Sequence, residues 1–320
     1  MPEKKSKVQS PKFEVNKTRK IKQPVYKSFR VSKTIKQTKP PLTGAFRLMI
    51  GSVRLLVNRW RLFGGIVLVY LILTVILVKG FGVSSDIAQL KATVLELSQG
   101  STAQLAAGLT LFSVLLGNAN STASDVAGAY QSMLLIIVSL VLVWALRQTL
   151  ADKKPAITVR DGFYKGLYPL VPFLLVLMVI GLQLLPLVFA NFLYGVVFGG
   201  GLAVTALEQG LWGLLIGLLV LLTLYMITSS VFALYIVTLP NVRPMQALRS
   251  ARDLVRYRRW VVMRKVLFLP VALLVASALL VVPIIIVSPA LAEWVFFGLS
   301  MTGLAVAHSY FYHLYRELIV

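Results

Sequence analysis

A chain of 320 residues in which 58% are hydrophobic and 14% charged, with mean hydropathy +0.81, does not have the composition of a soluble protein. Soluble domains carry roughly 25% charged residues. The formal net charge of +22 excludes an even scatter of both signs, and the absence of cysteine excludes disulfides, thiolate metal sites and cysteine nucleophiles.

Residues 1–44 open the chain with a dense run of Lys and Arg from Lys4 to Lys39, set against Glu3 and Glu14 alone. Prolines recur at 2, 11, 24, 40 and 41, and apolar residues are sparse. Such a stretch cannot bury enough apolar surface to offset its ordering entropy, so a disordered basic tail is expected, attracted to anionic lipid headgroups. Nucleic acid is disfavoured as its partner: Phe13, Tyr26 and Phe29 are its only aromatics, and no RNA-binding motif is present. Roughly 60 polar and basic residues precede the first apolar run, which does not fit a secretory signal.

"AFRLMIGSVRLLVNRWRLF" follows. Phe46, Met49, Val53, Leu56 and Trp60 recur at helical spacing, and Arg47, Arg54 and Arg61 lie on a neighbouring stripe. This pattern predicts an amphipathic helix lying on the membrane.

Six apolar runs then approach the length of about 20 residues that a helix needs to cross a bilayer. They are 62–79, 126–146, about 166–188, about 210–239, about 264–288 and about 291–313. Pro172, Pro186, Pro270 and Pro283 lie in or near span ends, where neighbouring helices can re-satisfy the freed carbonyls. The stretches 103–117 and 189–205 are shorter and rich in small residues. Excess Lys and Arg mark cytoplasmic segments. With six spans and the N-terminus inside, all but Lys79 and Lys91 of the 33 basic residues are cytoplasmic. Counting 103–117 as a span would put Arg147, Lys153, Lys154, Arg160 and Lys165 outside. Both short stretches are therefore expected to be interfacial or re-entrant on the outer face. The "GGG" at 199–201 reads as a flexible outer turn, and "NST" at 120–122 as a chance glycosylation sequon.

The most charged stretch among the apolar runs is "SARDLVRYRRW", 250–260. Taken as one helix over 245–262, it aligns Arg249, Arg252, Arg256 and Arg259 in one stripe beside a broad face of Met245, Leu248, Ala251, Leu254, Val255 and Val262. That division predicts a helix in the membrane plane, apolar side in the acyl boundary and arginines at lipid phosphates. Each cation near an anionic leaflet contributes on the order of 1 kcal/mol. Trp60 and Trp260 suit the headgroup layer as interfacial anchors.

"MQALRSARDLVRYRRWVVMRKVLFLP" carries a resemblance. Its Ala247, Leu248, Ser250, Leu254 and Trp260, before an outward span, resemble a pattern in the membrane domain fused to some bacterial glycerophosphodiester phosphodiesterases. Stand-alone bacterial inner-membrane proteins of uncharacterised function share it, and the likeness in layout covers about 45–315. No catalytic domain follows the spans before Val320, so the resemblance carries no expectation of phosphodiesterase activity.

Motifs for phosphate cradling, zinc peptidases and serine hydrolases are absent from the sequence. His308 and His313 are five apart and lack a cluster of acids, so they read as interfacial polar residues within an aromatic belt of Tyr310, Tyr312 and Tyr315. Thr228, Ser229 and Ser230 are expected to bond between helices. The expectation is an all-α, six-span protein of the cytoplasmic membrane with both termini inside and two amphipathic helices on the cytoplasmic face. Its tail covers 1–44 and its membrane domain 45–320. No catalytic residue, metal or cofactor is expected. Anionic phospholipids are the expected partners, with other membrane proteins as clients of a scaffold or assembly role. A transporter or flippase for an uncoupled or lipid-like substrate is the alternative.

Overall fold

Helices account for the architecture, and the computed structural model describes residues 42–78, 112, 125–151, 157–203 and 205–319, among which there is no strand. In chain order the elements are α1 (Ala45–Asn58), α2 (Trp60–Leu77), α3 (Asp125–Thr149), α4 (Val159–Gly166), α5 (Leu170–Gln183) and α6 (Leu185–Tyr194). A π-helical turn, Gly195–Gly199, leads on to α7 (Ala206–Ser230), α8 (Ala233–Ile236), α9 (Pro244–Val255), α10 (Arg259–Val287) and α11 (Pro289–Ile319). Among the described residues, six helical stretches are long and apolar enough to cross a membrane: Trp60–Leu77, Asp125–Thr149, Leu170–Gly199, Ala206–Ile236, Arg259–Val287 and Leu291–Ile319. The chain is thus an all-α, multi-pass membrane protein, as its apolar runs predict.

Burial sorts the spans into central and peripheral helices. In α3, Leu140, Val141, Leu142 and Val143 are consecutive and all buried, so the helix is enclosed on every side there, while Val126, Tyr130, Met133 and Leu135 in its first half are exposed. Its neighbours are α2, α4, α5 and α11. In contrast, 6% of the most apolar window of the Ala206–Ile236 span is buried, so α7 shows its leucines outward. In a bilayer those leucines lose nothing, because lipid tails are as apolar as leucine, and helices associate through close packing and hydrogen bonds instead.

Glycine provides such packing on α3. A Cβ on Gly166 would stand 3.2 Å from the Val141 Cα, and one on Gly162 would stand 3.1 Å from a Val141 methyl. These two glycines, one turn apart, let α4 lie directly on the α3 backbone.

Two breaks shape the third span. Pro186 has no N–H, and its ring opposes the Leu182 carbonyl, so α5 ends and α6 starts across Leu184. Beyond Tyr194 the helix widens into its π turn. There a Cβ on Gly200 would meet the Val196 carbonyl oxygen at 2.5 Å, and Gly201 adopts φ +67. The glycine run is therefore a helix terminator required by close approach and left-handed backbone. This corrects the expectation for 189–205: helix continues through Gly199, so 189–199 extend the span instead of forming a separate interfacial or re-entrant segment. Of 103–117 only Phe112 is described, in edge-to-face contact with Phe296 at 5.9 Å. The rest of that stretch, the sequon and tail residues 1–41 lie outside the described residues.

Long-range bonds gather one end of the bundle. Arg147 donates to the Thr238 carbonyl (2.7 Å), joining the end of α3 to the segment after α8. Arg316 donates to the Leu150 carbonyl (3.2 Å), and Lys265 donates to the Thr43 carbonyl. The starts of α1 and α10 and the ends of α3, α8 and α11 are thus tied together, and every Lys and Arg among the described residues lies at this end.

Candidate functional site

The basic end is built from three short helices. α1 presents three faces. Leu48, Ser52 and Leu55 turn towards the protein, with Leu48 and Ser52 buried against the bundle. Phe46, Ile50, Val53, Val57 and Trp60 form an exposed apolar stripe, Trp60 remaining 66% exposed. Arg47, Arg54 and Arg61 are exposed beside it, with the Arg61 guanidinium 5.9 Å from the Trp60 ring. The stripe is rotated from the expected set: Met49 and Leu56 are half-buried, and Ile50 and Val57 take their places. The rotation follows from Ser52, whose small side chain admits α11 closely. Ser309 donates to the Ser52 carbonyl (3.2 Å), while the Ser52 hydroxyl donates to the Leu48 carbonyl (2.8 Å).

α9 differs more from expectation. Its apolar side is not left for lipid: Ala247, Ala251 and Val255 are fully buried, against α5, α7, α8 and α11. Two alanines one turn apart allow that approach. Arg249, Arg252 and Arg256 are exposed on the far side. The expected helix over 245–262 is also divided, because the chain turns at Arg256–Arg258 from the course of α9 into the span α10. Asn241, at φ 63, makes the matching turn before α9 in the left-handed conformation that asparagine tolerates. Arg259 consequently belongs to α10, half-buried, with its guanidinium 4.4 Å from the Tyr225 ring of α7. Trp260, 73% exposed, stands next to it, and Arg256 lies 5.8 Å from the ring of Tyr257.

The third helix, α4, is one that periodicity does not reveal in eight residues. Tyr164 and Tyr168 are 86% and 93% exposed, with Arg160 and Lys165 exposed around them. The available signal is "TVRD": Thr158 accepts from the Asp161 N–H (3.2 Å), and Asp161 returns the bond to the Thr158 N–H (3.3 Å), closing a capping box. The Thr158 hydroxyl, and then Lys165 at 3.2 Å, hold the Asp161 carboxyl below the usual carboxylate range.

Behind these helices lies a buried polar layer. Tyr310, Tyr312 and Tyr315 are buried within the bundle, which corrects their reading as a lipid-facing belt. The cause is the central place of α11, which touches α1, α2, α3 and α10. Tyr310 donates to the Lys265 carbonyl (3.0 Å), and the Lys265 ammonium lies 3.8 Å from Glu317. Tyr235 bonds to Nδ1 of His308 (3.2 Å) and stacks near Tyr315 with centroids 6.2 Å apart. His313 Nδ1–H donates to the Ser309 carbonyl (2.9 Å). Both histidines are half-buried and bonded to protein groups, His308 to Tyr235 and His313 to the Ser309 carbonyl. Thr228 and Ser230 donate to Leu224 and Met226 (2.6 and 3.2 Å) and Ser229 to Met226 (2.9 Å), all within their own helix, not between helices as expected. Among the described residues no three His, Asp or Glu side chains converge to hold a metal.

Arg47 and Arg54 thus lie on α1 with Trp60 and Arg61 at the start of α2, past the non-helical Arg59; Arg249 and Arg252 lie on α9 with Arg256 at its C-cap; and Arg259 and Trp260 form a separate group with α7. No family model, curated protein or solved structure matches this chain.

Proposed function

We propose that this chain is a non-catalytic protein of the cytoplasmic membrane whose basic end, facing the cytoplasm, engages anionic lipid headgroups and serves a scaffold or assembly role. The observation that carries the reading is the exposed apolar surface of α1, Phe46, Ile50, Val53 and Val57 beside Arg47 and Arg54, with the exposed Trp60 and Arg61 following at the start of α2. A helix docked by its opposite face and offering that surface suits the boundary between acyl chains and phosphates. The one-sided placement of basic residues supports the orientation by the positive-inside rule. The buried Ser309 and Tyr310 side chains and the half-buried Arg147 hold backbone carbonyls, which favours a structural role over acid–base chemistry.

The test uses full-length protein carrying Trp60 as its sole tryptophan, in vesicles with brominated lipid. Brominated phosphatidylglycerol should quench Trp60 more than brominated phosphatidylcholine at equal mole fraction. High salt, or Gln at 47, 54 and 61, should abolish the difference. Equal quenching by both lipids sinks the reading.

A lipid-translocating role is the second reading. It draws on the break at Leu184, beside which the Gln183 side-chain oxygen is buried without a hydrogen-bond partner. Lipid scrambling by the purified chain in vesicles would decide for it.

A further inference from the structure

We propose that a groove between α7 and α10 is a site for one anionic glycerophospholipid, with an acyl chain along α7 and the phosphate on Arg259. This rests on the reading above that the basic end meets an anionic leaflet. The groove encloses about 240 Å³, below the roughly 300 Å³ at which pockets for compact ligands begin. Its walls are Leu218, Leu221 and Leu222 of α7 and Met263 of α10. It follows α7 from Leu218 to Thr228, about 15 Å of helix at roughly 1.5 Å per residue. The three leucines are exposed, so among the described residues no side chain covers this face. Long, narrow and apolar, it fits a hydrocarbon chain.

Charge selects the headgroup. Arg259 lines the groove at its basic end, its guanidinium 4.4 Å from the Tyr225 ring centroid. A cation held over an aromatic ring keeps its edge donors for a ligand. Among the described residues no carboxylate pairs with Arg259, and Arg256 and Arg258 precede it in the chain. A guanidinium left in that state complements a phosphate diester bidentately, and a headgroup with no positive charge of its own most strongly. Trp260, exposed on the same rim, sits where glycerol and headgroup would lie.

The test is native mass spectrometry of the full chain after exchange into mixed micelles of phosphatidylglycerol and phosphatidylcholine. One phosphatidylglycerol should remain per chain, in preference to phosphatidylcholine. Leu222→Trp, which fills the groove without touching a charge, should lower retention about tenfold, as should Arg259→Gln. Arg259→Lys should restore only part. Leu218→Trp repeats the filling at a second position, and circular dichroism and the melting temperature verify that each variant is folded. Unchanged retention in the folded Trp variants overturns the proposal, as does equal retention of both lipids. A dimer that the Trp variants abolish would make the groove a protein interface and overturn it equally. If Trp60 still distinguishes brominated anionic lipid while retention fails, the groove alone is rejected. If both fail, the surface reading falls too.

Discussion

The Ser309 hydroxyl of α11 donates to the backbone carbonyl of Ser52 in α1 at 3.2 Å, with both residues fully buried. A helix offering an apolar stripe and arginines outward is thereby fixed to the central helix of the bundle by its opposite, small-residue face. Ser52→Leu should force the two helices apart, at a cost of about 1–3 kcal/mol for overpacking. Ser309→Ala should cost about 1 kcal/mol, the net worth of one hydrogen bond. Thermal unfolding in detergent checks the order, with Ser52→Leu melting lower.

Neighbouring glycines in α2 should respond oppositely. Gly64 has nothing within 4 Å of an added Cβ, whereas a Cβ on Gly65 would come 2.7 Å from a Val159 methyl. Gly64→Ala should hold or raise the melting temperature, by up to about 1 kcal/mol of helix propensity. Gly65→Ala should lower it, because the β-branched Val159 has few rotamers to yield with. Adding Val159→Ala to Gly65→Ala should recover most of that loss.

Acid should loosen α4 first. The folded Asp161 carboxyl titrates below its ordinary value of 3.8, through the Thr158 hydroxyl and then Lys165. A lowered pKa means stability that is present above the unfolded value and lost as pH falls through the folded one. Hydrogen exchange of 159–166, corrected for its intrinsic rate, should therefore quicken below the ordinary carboxylate range. In Asp161→Asn it should be fast at every pH and lose this dependence.

Orientation can be read with single cysteines, since the chain has none of its own. Ser250 is exposed at the basic end and Leu202 at the other. Leu202→Cys should react with an impermeant thiol reagent added to intact cells, and Ser250→Cys only in inside-out vesicles. Labelling of Ser250→Cys in intact cells would reverse the topology.

The sequence by itself determined the class, the six spans and the segregation of charge, because each follows from local composition. A run long and apolar enough to cross a bilayer is nearly independent of its neighbours. It also located α1 and α9, since both carry a helical period of apolar and basic residues. Tertiary structure decided which side of each helix meets protein. Ala247, Ala251 and Ser52 are small residues that periodicity treats as neutral, yet their size lets a neighbouring helix approach and claims those faces for the bundle. In the same way Tyr310, Tyr312 and Tyr315 resemble an interfacial belt until α11 is found at the centre. The placing of Arg259 against Tyr225 joins residues far apart in the chain and depends on α9 ending at Val255. No local pattern encodes that pairing, because the turn exists to redirect the chain from one helix axis to another, and only packed helices define those axes.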